Sequence, residues 1–368
     1  NSNNQTMKKL LSLALALMAC ATSFTSCMSD GDTVTPTPFW PASNDTVMVV
    51  KVMDNPSKLV VAGNKLCING YGTSDWNNIL NPLQIVNPTN LEVTTIPDVR
   101  VTSFAPSSNR LLLVDSEAPD WVNYTTTFRY YDTTKGEVYG EFIGGAPEEL
   151  YKTCVYAILV NPNNQNIYIV TTDYYSQSTI YHFNQNGYYV ETITGCTESV
   201  SSAAFDGETA YFVSEGNYGS NNSSIFRVKP GETIATDFYR TANGGQSLGD
   251  VGLDILCAAD KSFYVVVNNS SYIVHLDADG KKLHRYDCTA DDGQPRYIAA
   301  HGGNYYVSTY GGKVLKLDAQ LNKVGELKLG PALEQMVILQ DRICVLGCAM
   351  GQDNRLFVIN IDKAFSAK

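Results

Sequence analysis

The side chains best suited to chemistry in this sequence are aromatic rings set in polar loops. Trp76 stands in 71–78, Trp121 and Tyr124 in 116–126, Tyr174 and Tyr175 in 171–178, Tyr218 in 214–223 and Tyr310 in 309–312. Turn geometry needs none of these rings. Tyr and Trp offer broad, stiff contact surface with a polar tip, which suits a large semi-planar ligand or a partner protein. A second set of loops adds Arg100; Glu148, Glu149 and Tyr151; Asn243, Gln246 and Asp250; Asp291, Asp292, Gln294, Arg296 and Tyr297; and Glu334 and Gln335. Asn268 and Asn269 open a tight loop of the same kind. Amide and guanidinium groups beside aromatic walls make pockets for polar organic ligands. Singly, each ring can pack on a neighbouring loop and each charge can be solvated; the gathering is what points to a ligand.

Signals for catalysis are poor. The chain has no HExxH, no GxSxG and no phosphate-cradling glycine loop. Of the four histidines, His182 and His275 each stand two residues before a strand-ending Asn184 or Asp277, a place held elsewhere by Arg227 and Lys316. That is a repeat position for long polar side chains, not a ligand set. His301 falls in a turn and His284 in an outer strand, so a histidine metal site is not expected. The acid pairs Asp291/Asp292 and Glu148/Glu149 suit a hard cation, but such pairs more often face solvent. The expectation is a binding protein and not an enzyme, with no catalytic residue, no bound metal and no cofactor.

The elements that must position these loops repeat along the chain. A polar turn, four or five apolar or aromatic residues and a polar loop recur near residues 64, 109, 166, 209, 262, 304 and 342. The spacing of roughly 40 to 55 residues is the period of propeller blades. Each copy is followed by a strand ending in Asp or Asn, or in Lys229 after the fourth copy, then a turn, often with Gly136, Gly187, Gly231 or Gly280, then a further strand. A short apolar run precedes each copy, so each unit reads as four strands, a to d. The last unit supplies only three, and the lone strand 46–53 has no unit of its own. It is expected as the outer strand of the last blade, closing the ring and covering an edge. The fold expected is an all-β, seven-bladed propeller over 46–368. With strand a innermost, the d–a and b–c loops share one face, where propellers bind ligands.

Before the repeats, Lys8 and Lys9 precede an apolar run of ten residues, too short to span a membrane and right for a signal peptide. Cys27, after Phe24-Thr25-Ser26, is the preferred lipidation site, with Cys20 as the alternative and a plain cleaved leader as another. Residues 27–45, with Pro36, Pro38 and Pro41, read as a stiff lipidated spacer. Loss of the leader takes the formal charge from −11 to −13, a surface that repels phosphate backbones, so nucleic acid is not an expected partner. The other seven cysteines lie mostly in strand-like runs and read as buried thiols.

Several segments resemble the YncE-like surface-layer propellers of Bacteroidetes, in particular the vitamin B12-capturing lipoproteins of the BtuG type. They are Ser214-Glu215-Gly216-Asn217-Tyr218, Tyr239-Arg240-Thr241-Ala242-Asn243-Gly244, Leu248-Gly249-Asp250-Val251, Val266-Val267-Asn268-Asn269-Ser270, Pro295-Arg296-Tyr297-Ile298 and Glu334-Gln335-Met336-Val337. The blade order is shifted: the segment holding Glu215 and Asn217 opens the ring in those relatives, whereas three blades precede it here. The resemblance implies ligand contacts at Glu215, Asn217, Tyr218, Asn243, Asp250, Asn268, Arg296, Tyr297 and Gln335. It implies a lipid-anchored outer-membrane protein at the cell surface that binds a corrinoid and delivers it to a TonB-dependent, BtuB-like transporter. The alternative is a surface scaffold that binds protein or glycan.

Overall fold

The computed structural model describes residues 40–70, 82–96, 99–118, 123–172, 177–197, 199–348 and 354–366. Within them the chain forms seven four-stranded antiparallel sheets. Blades 1 to 6 occupy 56–96, 103–139, 155–197, 200–237, 252–287 and 295–328, each in the order a-b-c-d from the inside out. Blade 7 takes strands a to c from 333–360 and its outermost strand from Val47–Lys51, which pairs Val47 with Ile359 through to Lys51 with Arg355. The innermost strands touch in ring order, Pro56–Ala62 meeting Leu333–Leu339 to close the circle. The expected seven-bladed ring, closed by the N-terminal strand, is the observed fold.

Burial follows position within the blade. In blade 5, strands b (Phe263–Val267) and c (Tyr272–Leu276) are buried at every residue, while strand d (Lys282–Asp287) is exposed at nearly all of them. Uniformly apolar runs of β-branched and aromatic residues are what a strand covered on both faces requires. The core is accordingly a set of seven apolar clusters, each filling the wedge between two adjacent blades; one unites Tyr211 and Phe238 of blade 4 with Phe263 and Leu276 of blade 5. The c–d glycines Gly136, Gly187, Gly231 and Gly280 all have positive φ, as tight hairpins demand.

The repeat position read from the histidines is a register position. Tyr168 pairs with His182, Tyr211 with Arg227, Tyr264 with His275 and Tyr306 with Lys316, always strand b against strand c. The two imidazoles stack on their tyrosines, at 4.6 Å and 4.2 Å between ring centres. They pack between blades, away from the axis.

Trp40 and its neighbours, expected in the spacer, lie on blade 7. The indole packs against Phe357 at 5.5 Å and covers the backbones of Gly330 and Gly347, where a Cβ would strike it. The Asn44 side chain accepts from the backbone N–H of Thr46 and Val47, fixing the start of the closing strand.

Candidate functional site

The ring has two axial ends. At one of them strands a begin and the b–c loops lie. In six of the seven blades the a–b pairing slips by one residue at this end. The slips leave Ser57, Tyr156, Ser201, Leu253, Arg296 with Tyr297, and Glu334 with Gln335 outside the ladder. A β-bulge bends its strand and re-aims the side chain it frees. The same irregularity, repeated around the ring, brings a set of mostly polar side chains to this end, Leu253 being the apolar exception.

Arg296 and Glu334 form the best-defined pair. The guanidinium donates to Glu334 Oε2 through Nε at 3.1 Å and a terminal nitrogen at 2.6 Å, and both side chains are largely buried. It lies 4.3 Å from the centre of the Tyr310 ring and 5.7 Å from that of Tyr297. Charge-assisted bonds and cation–π contacts both strengthen out of water. Gly311 and Gly312 let the Tyr310 loop press on residues 292–293 and 330, and Gly312 has φ +74°. Burial raises the Tyr297 phenol, and Arg296 opposes this.

A second group faces it. Tyr156 donates to Glu215 Oε1 at 2.7 Å across the junction of blades 3 and 4. Burial pushes the Glu215 carboxyl up to about 7, against the lowering pull of Tyr156, Arg296 and Ser201. Asp254 accepts from Ser202 Oγ at 2.8 Å and from the Ile298 backbone N–H at 3.1 Å, and burial raises it to about 6. Two carboxyl groups are thus raised toward neutrality, and one of them, Glu215, feels the Arg296 cation. Such environments are enriched at functional sites because they hold a proton ready for transfer or exchange.

The expected contacts divide. Glu215, Arg296, Tyr297 and Tyr310 come together at the axial mouth. Gln335 is at the same end, where its side-chain oxygen accepts from the Leu59 N–H at 3.1 Å and ties blade 7 to blade 1. Asp250 and Asn268 hold loops together. Asp250 accepts from the Gly219 N–H at 2.9 Å and from Asn269, and Asn268 donates to the Pro295 carbonyl at 2.8 Å. The Asn217 N–H is bound by the Asn222 side chain at 2.8 Å, and Tyr218 is 71% exposed. Asn243 ends the short helix Phe238–Ala242 and donates to the Gly280 carbonyl, in the c–d turn of blade 5, so its side chain is taken up by the scaffold. Trp76, Trp121, Tyr174, Tyr175 and the lipidation candidate Cys27 lie outside the described residues. Sequence reasoning missed Tyr156, Ser201, Ser202 and Asp254. The signal available for them was a polar residue at the start of an otherwise apolar inner strand.

No model of a known protein family matches the sequence, and no curated protein matches it. Solved structures do. The chain is similar to virginiamycin B lyase from Staphylococcus aureus, with 15% identity and a TM-score of 0.60 over 85% of this chain and 98% of that one. A catalytically inactive variant of the same lyase, crystallised with quinupristin, gives a TM-score of 0.59 over the same shares. At this identity the likeness shows the fold. It nevertheless overturns the expectation that this protein is no enzyme. That expectation rested on absent motifs, and a ring of the fold found in a lyase leaves their absence without force as an argument against catalysis.

Proposed function

We propose that the axial mouth captures a polar organic ligand. The observation that carries this reading is the convergence of Tyr156, Glu215, Arg296, Tyr297, Tyr310 and Glu334 from four blades on one end of the axis. Arg296 is already desolvated and held by Glu334, so little ordering remains to oppose binding. Tyrosine faces stand beside it for a flat ligand. A corrinoid is the first ligand to test, because the segments around Glu215, Arg296 and Gln335 resemble those of corrinoid-capturing propellers. On this reading the protein is anchored through Cys27 in the outer membrane, faces outward, and hands its ligand to a TonB-dependent, BtuB-like transporter. Calorimetry with cyanocobalamin tests it. Binding at micromolar concentration or tighter, weakened about tenfold or more by Arg296→Ala or Tyr310→Ala, is the expected result. No heat at micromolar ligand rejects the corrinoid.

A second reading has one observation in its favour. Glu215, raised to about 7 and bonded to Tyr156, is poised to exchange a proton at neutral pH, and Arg296 is near enough to steady a negative charge. Elimination chemistry needs both. Incubation with virginiamycin B, followed by mass spectrometry, tests it. Product that forms with the wild type and is lost in Glu215→Gln supports catalysis, and unchanged substrate in both removes it for that compound.

A further inference from the structure

We infer that Lys58 forms an oxyanion subsite at the axial mouth, taking a carboxylate or phosphate group of the captured ligand. The inference rests on the mouth being a ligand site and adds the chemical class of what enters it.

Lys58 is the third residue of the inner strand of blade 1 (Pro56–Ala62), just past that strand's slip in register. It is half-buried, and an innermost strand has no outer surface, so its open part faces the axis. The ammonium lies 5.4 Å from the centre of the Phe104 ring in the inner strand of blade 2. Among the described residues it has no ion-pair partner and its ammonium makes no hydrogen bond. The other enclosed lysines are treated differently. Lys313 meets Asp291, Asp292 and Glu326, and Lys323 meets Asp292 and Glu326. An enclosed ammonium without an anion is costly, and burial alone pulls Lys58 down to about 8. The chain has 37 acidic side chains, and among the described residues none is set beside this ammonium.

The ring order adds direction. Blade 1 stands across a seven-membered ring from blades 4 and 5, which carry Glu215 and Asp254. Blades 6 and 7 contribute Arg296 and Glu334, which neutralise one another. The mouth is therefore polarised, with an uncompensated cation on one side and carboxyl groups on the other. A ligand carrying an oxyanion at one end and hydrogen-bond donors at the other matches it.

The test uses benzoate and inorganic phosphate as probes, with benzamide as the uncharged control, measured by calorimetry at low salt on the purified protein. Saturable millimolar binding of at least one anion but not of benzamide is expected. Lys58→Met should weaken it about tenfold or more while melting no lower than the wild type. The anion that binds distinguishes carboxylate from phosphate. If neither anion binds the wild type, or Lys58→Met binds them equally, the subsite does not exist. Should that variant fail to fold, the 15N resonance of the Lys58 ammonium in the wild type decides: it shifts on adding the bound anion, or the inference falls. Anion binding without cyanocobalamin binding removes the corrinoid and leaves the subsite, and the reverse removes the subsite alone.

Discussion

Replacing Glu215 by Gln should change how stability depends on pH, and the sign follows from the site. The folded carboxyl is raised from 4.5 to about 7, with burial as the largest cause. A raised carboxyl pKa means that the folded state holds the proton more tightly than the unfolded chain. Below about 4.5 both states are protonated and Glu215 makes no difference. Between 4.5 and 7 the unfolded chain has lost the proton while the folded protein keeps it, so stability falls as pH rises. Above 7 the penalty is constant. The difference between 4.5 and about 7 corresponds to about 3 kcal/mol. Gln keeps an oxygen for the Tyr156 hydroxyl and cannot ionise, so Glu215→Gln should match the wild type at about pH 4.5 and exceed it by about 3 kcal/mol at about pH 8. Urea unfolding of both proteins from about pH 4 to about pH 9 measures the difference directly, with the other titrating groups cancelling. A constant offset across this range, or a variant that is less stable at the alkaline end, would refute burial as the origin of the shift.

The Arg296–Glu334 pair should be strongly coupled. Arg296→Met and Glu334→Leu should each cost about 3 kcal/mol by stranding a desolvated charge, and the double variant should cost no more than either; additivity within about 0.5 kcal/mol would show no interaction. Gly312→Ala forces a side chain toward the Gly330 carbonyl at φ +74°, so it should lower the melting temperature and weaken whatever ligand Tyr310 contacts, which a thermal melt and a titration read together. Trp40→Ala removes the indole that covers Gly330, Gly347 and Phe357, and should destabilise blade 7 by about 2 kcal/mol, read as earlier hydrogen exchange in Val47–Lys51 than elsewhere in the ring.

The ring was readable because the signals that make it are local. Apolar runs at fixed spacing, Asp or Asn at the ends of c strands and glycine in c–d hairpins each follow from a few neighbouring residues. The closing strand followed by elimination, since one strand was left without a unit and one unit without a strand. The histidines were readable too, because His182 and His275 share a position with Arg227 and Lys316. The site was only half legible. Arg296, Tyr297 and Glu215 carried recognisable neighbours, whereas Asn243, Asp250 and Asn268 looked like contacts and are used to fasten loops. Tyr156 stands just before the apolar run of its strand, where nothing local marks it, and its partner Glu215 is 59 residues away.

By itself, then, the sequence determined the seven units, their order and the way the circle closes, because strand patterning and turn chemistry act over a handful of residues. The folded ring decided which side chains meet. Slips of register at the starts of inner strands turn Tyr156, Ser201, Arg296 and Glu334 toward the axis. A slip is a property of two paired strands and of the loop above them, so no single strand announces it. Burial at that shared end then raised the Glu215 and Asp254 carboxyls, lowered the Lys58 ammonium and locked Arg296 to Glu334. Those shifts depend on neighbours from other blades, which only closure of the ring brings near.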